Sequence, residues 1–222
     1  MRCAVFDCDG VLVDSISSWR TLHEHFGTQN DEMLSRFISG ELTDMEFMLA
    51  DIEMWKEITP RIHRDELFRA FSGVELMPGA KELVAALKGR GVFVAIVSAG
   101  VDIFVSMIAS MLAVDDWIAN GFEFDEQGWL LDEGHVRVSS HDKGSVIERL
   151  LKMHEFPSAE VVCIGDSELD LSMRVGDCQF IGFNASSTST REAFAEAGVP
   201  VVVEKDLRLL WPLLFDGEDF GG

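Results

Sequence analysis

Three runs in the chain are apolar throughout, Cys3-Ala4-Val5-Phe6, Val92 to Val97 and Val161-Val162-Cys163-Ile164, and each breaks off at polar residues or glycine. Runs this short and this apolar read as buried strands. Helical spacing separates them: Pro78-Gly79 opens a helix through Leu87, and Val101 to Leu112 and Asp142 to Met153 form two more. Strands alternating with helices predict a parallel sheet with right-handed crossovers. In such sheets ligands sit beyond the carboxyl ends of the strands. Those ends carry Asp7 and Asp9, then Ser98, then Asp166, so these groups are expected to converge on one crevice.

If Asp7 and Asp9 continue the strand geometry, they point to the same side and Cys8 points away. Two carboxylates in one small space either repel, which raises one pKa, or are neutralised by a bound cation. Each position also has a local explanation. Asp and Gly are common at strand-end turns, and Ser98 and Asp166-Ser167 suit helix caps. Lys143, beside Gly144 at a helix start, suits a solvated surface.

From Ser15 to about Ser72 the pattern is helical and carries no strand signal. Breaks at Gly27, Gly40 and Thr59-Pro60 divide it into about four helices, and Thr43-Asp44-Met45-Glu46 has the spacing of a capping box. Further on, Asn120 to Leu131 reads as a hairpin, a helix runs to about Val175, and Cys178 to Phe183 is a strand. A helix near Arg191 to Ala197, a strand Val201 to Val203, a short helix from Asp206 and a frayed acidic tail complete the reading.

The 222 residues are 47% apolar, enough for a sizeable core. With 18 basic against 39 acidic side chains the formal charge is −21, which opposes binding to nucleic acid or to an anionic membrane. Cys3, Cys8, Cys163 and Cys178 show no paired spacing and read as reduced thiols of a cytoplasmic protein. No apolar run approaches the ~20 residues that span a bilayer, and no signal peptide is evident.

FDCDGVLVD, VSAG, Lys143 in HDKGSVIERL, and GDSELD resemble, in order, the four motifs of the haloacid dehalogenase-like superfamily of aspartyl-phosphate phosphotransferases. The resemblance implies a Rossmann-like α/β parallel-sheet core, residues 1–14 and 76–222, with an inserted α-helical cap at 15–75. It implies that Asp7 is a nucleophile forming an aspartyl-phosphate and that Asp9 is the general acid and then base. Asp7, the Asp9 carbonyl and Asp166 would hold Mg²⁺. Ser98, Lys143 and the backbone near Cys8, Asp9 and Ala99 would bind the phosphoryl group, and Asp170 would position Lys143 or a metal-bound water. Dehalogenases lack the second aspartate, so Asp9 favours phosphoryl transfer.

PGAKELVAALKGRGVFVAIVSAGVDIF followed by IANGFEFDEQGWL is similar to the phosphoserine phosphatases of the small-helical-cap branch. Two substrate contacts of that group are not matched: Ile16 stands where a glutamate takes the ammonium, and Asp51 where an arginine takes the carboxylate. The expectation is a magnesium-dependent phosphatase of a small phosphorylated metabolite, for which phosphoserine is a poor substrate. Phosphoryl transfer to an acceptor other than water, or a slow regulatory member binding a phosphorylated ligand or protein, are the alternatives. Trp19, Trp55 and the methionines of the helical segment read mainly as core, and His23 and His25 cannot share a helix face.

Overall fold

The computed structural model describes residues 1–15 and 17–221, so Ile16 lies outside the described residues. Its strands are β1 Cys3–Phe6, β2 Phe93–Val101, β3 Asp116–Phe124, β4 Leu130–His135, β5 Val161–Gly165, β6 Gln179–Phe183 and β7 Val201–Val202. They form one sheet in the order β4-β3-β2-β1-β5-β6-β7. All neighbours pair in parallel except the β3–β4 hairpin. The helices are α1 Ser18–Phe26, α2 Asp31–Ile38, α3 Asp44–Ile58, α4 Arg64–Ala70, α5 Ala80–Gly89, α6 Asp102–Leu112, α7 Gly144–His154, α8 Thr188–Glu196 and α9 Trp211–Leu214.

The unbroken apolar character of β1 follows from its position between β2 and β5. Ala4 and Phe6 enter the apolar cluster on one face of the sheet, and Cys3 and Val5 the cluster on the other. A strand covered on both faces has no position for a solvated side chain. The helices α1, α3 and α4 share the first of these clusters: Leu22, Phe26, Met48, Ile52, Trp55 and Leu67 are all buried in it. At the start of α3, Glu46 N–H donates to Thr43 Oγ1 at 3.2 Å and Thr43 N–H to Glu46 Oε2 at 2.8 Å, the expected capping box.

Several boundaries differ from the sequence reading. Strand β2 does not stop at Val97 but continues to Val101, with its pairing to β3 irregular between Val97 and Val101. Ser98 is therefore a strand residue, and the cap of α6 is Val101, which lacks a capping side chain. Strand β3 begins at Asp116, four positions before the expected hairpin. The turn after β5 is a 3₁₀ helix, Glu168–Met173, rather than a longer helix. The tail is tied down: Arg90 Nη2 meets Glu218 Oε2 at 2.5 Å, and Phe220 packs edge-on against Trp211. Cys3, Cys8, Cys163 and Cys178 are free and buried. Among the described residues, no helix is long and apolar enough to cross a membrane.

Candidate active site

The carboxyl ends of β1 and β5 deliver the acids. Asp7 N–H donates to the Ile164 carbonyl at 2.9 Å, so Asp7 leaves the sheet still paired to the strand that carries Asp166. Lys143 sits just before α7, where its N–H donates to Ser172 Oγ at 3.1 Å. Its side chain is buried and lies between two carboxylates, 3.1 Å from Asp7 Oδ1 and 2.5 Å from Asp170 Oδ1. The surface reading of this lysine is thereby excluded. Asp170 Oδ2 accepts from the N–H groups of Asp166 and Ser167 at 3.1 and 3.0 Å. The local reading of Ser167 as a cap also holds, because it forms a capping box with Asp170. One carboxylate thus orders both the loop that presents Asp166 and the lysine that faces Asp7.

Asp9 Oδ2 accepts from Ser18 Oγ at 2.8 Å, and Ser18 Oγ accepts from Val101 N–H at 3.1 Å. Ser18, fully buried on α1, was not singled out by the sequence. Its signal was available, since it opens the helix that follows the first motif. Trp19 Nε1 adds a second link between α1 and the same strand end, donating to the Ala99 carbonyl at 3.1 Å. Asn120, also not anticipated, donates from Nδ2 to the carbonyls of Ala99 at 3.2 Å and Val138 at 2.8 Å. Ser98 Oγ accepts from Gly100 N–H at 3.1 Å and faces the cavity with Ala99, Asp7, Asp9, Lys143 and Asp166. Cys8 is buried, and its carbonyl closes the turn by accepting from Leu12 N–H at 2.9 Å. Gly10 is required at the turn: its φ is +73°, and a Cβ there would meet Asp166 Oδ2 at 2.2 Å.

Crowded acids in a dry crevice resist ionisation. Burial pushes Asp9 up to about 6. Burial raises Asp7 against the opposing pull of Lys143, and burial with the charges of Asp170 and Asp7 raises Asp166 well above the carboxylate range. Burial alone would lower Lys143, but Asp170 and Asp7 hold it above its ordinary value. Oxygens of Asp7, Asp166 and Asp170 lie within 4.8 Å of one another. The buried Asp9 Oδ1 has no hydrogen-bond partner among the described residues, and Asp7 Oδ1 meets only Lys143. Hard, negatively charged oxygens with unused lone pairs fit a divalent cation such as magnesium.

A family model described as haloacid dehalogenase-like hydrolase matches residues 4–174. The chain is a haloacid dehalogenase-like hydrolase, and it lies on the phosphatase branch of that family. A phosphoserine phosphatase of Archaeoglobus fulgidus is 28% identical over 186 residues, 83% of this chain and 53% of that protein, so the chain spans about half the length of that relative. One from Idiomarina loihiensis is 30% identical over 185 residues, covering 82% of this chain and 81% of that protein. A solved structure of a phospho-aspartyl intermediate analogue of phosphoserine phosphatase shares the fold, with a TM-score of 0.78 at 23% identity over 96% of this chain and 98% of that one.

Other positions of this hydrolase do not join the acids. Glu168 turns to α8, where Thr190 Oγ1 and Ser189 Oγ donate to it. His25 lies 3.5 Å from Glu66, and His135 lies 3.0 Å from Glu123. Asp51, placed by alignment at a substrate-binding position, is buried inside the helical segment, 3.1 Å from His23 Nε2. Trp55 is fully buried as expected, whereas Trp19 is half-buried and lines the cavity.

Proposed function

We propose that this chain is a magnesium-dependent phosphatase of a small phosphorylated metabolite, working through an aspartyl-phosphate on Asp7. The observation that carries the reading is Lys143, buried and shared between Asp7 Oδ1 at 3.1 Å and Asp170 Oδ1 at 2.5 Å, opposite an Asp9 whose carboxyl is pushed up to about 6. Residues 15–75 act as the cap over a core of residues 1–14 and 76–222. Buried free thiols support a reducing, cytoplasmic setting.

A phosphate monoester is a dianion, so a carboxylate nucleophile needs its charge offset. Lys143 offsets Asp7, and Asp170 holds Lys143 there. Asp7, Asp166 and the Asp9 carbonyl would hold magnesium, which would supply the remaining positive charge. Asp7 attacks phosphorus, the bond to the leaving oxygen breaks, and protonated Asp9 gives that oxygen its proton. Water then attacks the aspartyl-phosphate, Asp9 takes a proton from it, and Asp7 leaves as the carboxylate. Ser98 Oγ and the backbone near Cys8 and Ala99 hold the phosphoryl oxygens throughout.

Magnesium-dependent hydrolysis of p-nitrophenyl phosphate, lost in Asp7→Asn, tests the reading. Phosphoserine is expected to be turned over poorly, at least about tenfold below the best substrate in kcat/KM, because charge recognition needs both partners and Asp51 is a carboxylate turned inward. Efficient, saturable phosphoserine hydrolysis would contradict this.

The pH dependence of stability tests the cation site without turnover. Asp7, Asp9 and Asp166 are raised in the folded protein, so the metal-free fold binds more protons than the unfolded chain. That contribution is complete below about pH 4, the ordinary carboxyl range. It is lost as pH rises through the folded values, about 6 for Asp9 and well above the ordinary carboxyl range for Asp166. The melting temperature in chelator is therefore expected to fall as pH rises across this window, and magnesium to restore it. A flat profile in chelator, unaffected by magnesium, is the contrary result.

A further inference from the structure

The acidic crevice opens into a cavity of about 760 Å³, well within the roughly 300–1,000 Å³ of sites that enclose drug-sized ligands. A body larger than a small amino acid fits there. The loop between α1 and α2 contributes to its wall, where Thr28, Gln29 and Asn30 line the cavity in succession. Phe37 and Phe47 form another wall, stacked with ring centroids 4.7 Å apart.

Two of the three loop side chains hang from a buried hub. Asn30 Nδ2 donates to Asp51 Oδ1 at 2.6 Å, and the same oxygen lies 3.1 Å from His23 Nε2. Thr28 Oγ1 is 2.7 Å from His23 Nδ1, which Trp55 Nε1 also approaches at 3.3 Å. An indole N–H only donates, so Nδ1 is assigned as the acceptor and the ring proton to Nε2, facing Asp51. Thr28 then donates to Nδ1 as well. Asp51 is fully buried and His23 is 4% exposed, so packing fixes this arrangement from behind. The position that alignment matches to a carboxylate-binding arginine is thus occupied by an acid that holds a loop of neutral hydrogen-bonding groups.

Two of the charged groups around the rest of the cavity pair with each other, and a third is held by hydroxyls. Arg20 Nε lies 3.1 Å from Glu24 Oε1. Asp44 accepts from Ser139 Oγ at 3.1 Å and from Ser140 Oγ at 2.7 Å. Away from the catalytic group the cavity is lined by three acids, Glu24, Asp31 and Asp44, and one base, Arg20, so a second anion on the substrate meets net repulsion. Amides and hydroxyls on a fixed loop beside an aromatic face suit hydroxyl groups on a carbon framework. Resting on the phosphatase reading above, we propose that the substrate is the phosphomonoester of a polyhydroxylated body that carries no second anion, a sugar or polyol. The Thr28–Asn30 loop reads that body, with Asp51 and His23 as its positioning residues.

The test is a magnesium-dependent comparison of pentose, hexose and polyol monophosphates with phosphoserine and a sugar bisphosphate, using p-nitrophenyl phosphate as a reference. The best sugar or polyol monophosphate is expected to exceed the charged-body substrates by at least about tenfold in kcat/KM. Gln29→Ala, at an exposed position, is expected to lower the sugar-to-aryl selectivity ratio by about tenfold through KM. Asp51→Asn should lower the same ratio, with a melting curve confirming the fold. A charged-body substrate ranking first, or a ratio unmoved by both variants, overturns the inference while aryl phosphate hydrolysis leaves the phosphatase reading standing. If the wild type hydrolyses nothing, the phosphatase reading fails, and calorimetry decides the cavity: tighter binding of a sugar monophosphate than of phosphoserine to the Asp7→Asn protein supports it, and no preference overturns it.

Discussion

Asp7→Asn is expected to reduce magnesium-dependent hydrolysis of p-nitrophenyl phosphate by about 10,000-fold or more. The amide keeps the shape of the side chain but has no anionic oxygen to bond to phosphorus. Lys143 retains its 2.5 Å pairing with Asp170, so the variant does not strand a buried cation. Removing Asp7 also relieves repulsion in a crevice that contains Asp9, Asp166 and Asp170. The metal-free variant is accordingly expected to melt at or above the wild-type temperature. Loss of activity with no loss of stability distinguishes a missing nucleophile from a damaged fold. Steady-state rates and thermal melts in chelator measure the two halves, and retained turnover contradicts the assignment of Asp7.

Lys143→Met is expected to fail on both counts. The side chain is only 4% exposed, and its removal leaves Asp7 and Asp170 facing each other without their shared cation. Breaking a buried ion pair from one side costs about 3–5 kcal/mol, seen as a lower urea midpoint in chelator. Hydrolysis is expected to fall about 100- to 1,000-fold, the scale of one lost electrostatic contact to the developing charge. Magnesium should recover part of the stability and little of the rate. A variant as stable and as active as the wild type would place Lys143 outside the machinery.

The crevice was legible because its parts sit where strand geometry puts them. Asp7 and Asp166 end runs whose apolar character marks a strand covered on both faces, and that pattern survives in one dimension. Ser98 was located correctly for an incomplete reason: Val97 looks like a strand end, but the chain continues to Val101 through an irregular pairing that only β3 reveals. The helical segment was legible as helices and not as contacts. Thr43 and Glu46 announce their own capping box three residues apart. The pairing of His23 with Asp51, across two helices, leaves no periodic trace. Ser18 opens the helix after the first motif, but its bond from Val101, 83 residues on, likewise leaves no periodic trace. The acidic tail looked frayed because Arg90, which anchors it, lies 128 residues from Glu218 in the sequence.

The central place of β1 sets the order in which the site can be assembled. Cys3 pairs with Phe93 on one side and Val161 on the other, so both neighbours of this strand come much later in the chain. Closing such long loops is entropically slow, and pairings of this kind dominate folding time. Until residues 161–165 dock, both the edge of β1 and the place of Asp166 remain open. Asp166 thus reaches Asp7 and Asp9 only once β5 docks on β1, and the mutual repulsion of the acids opposes that docking.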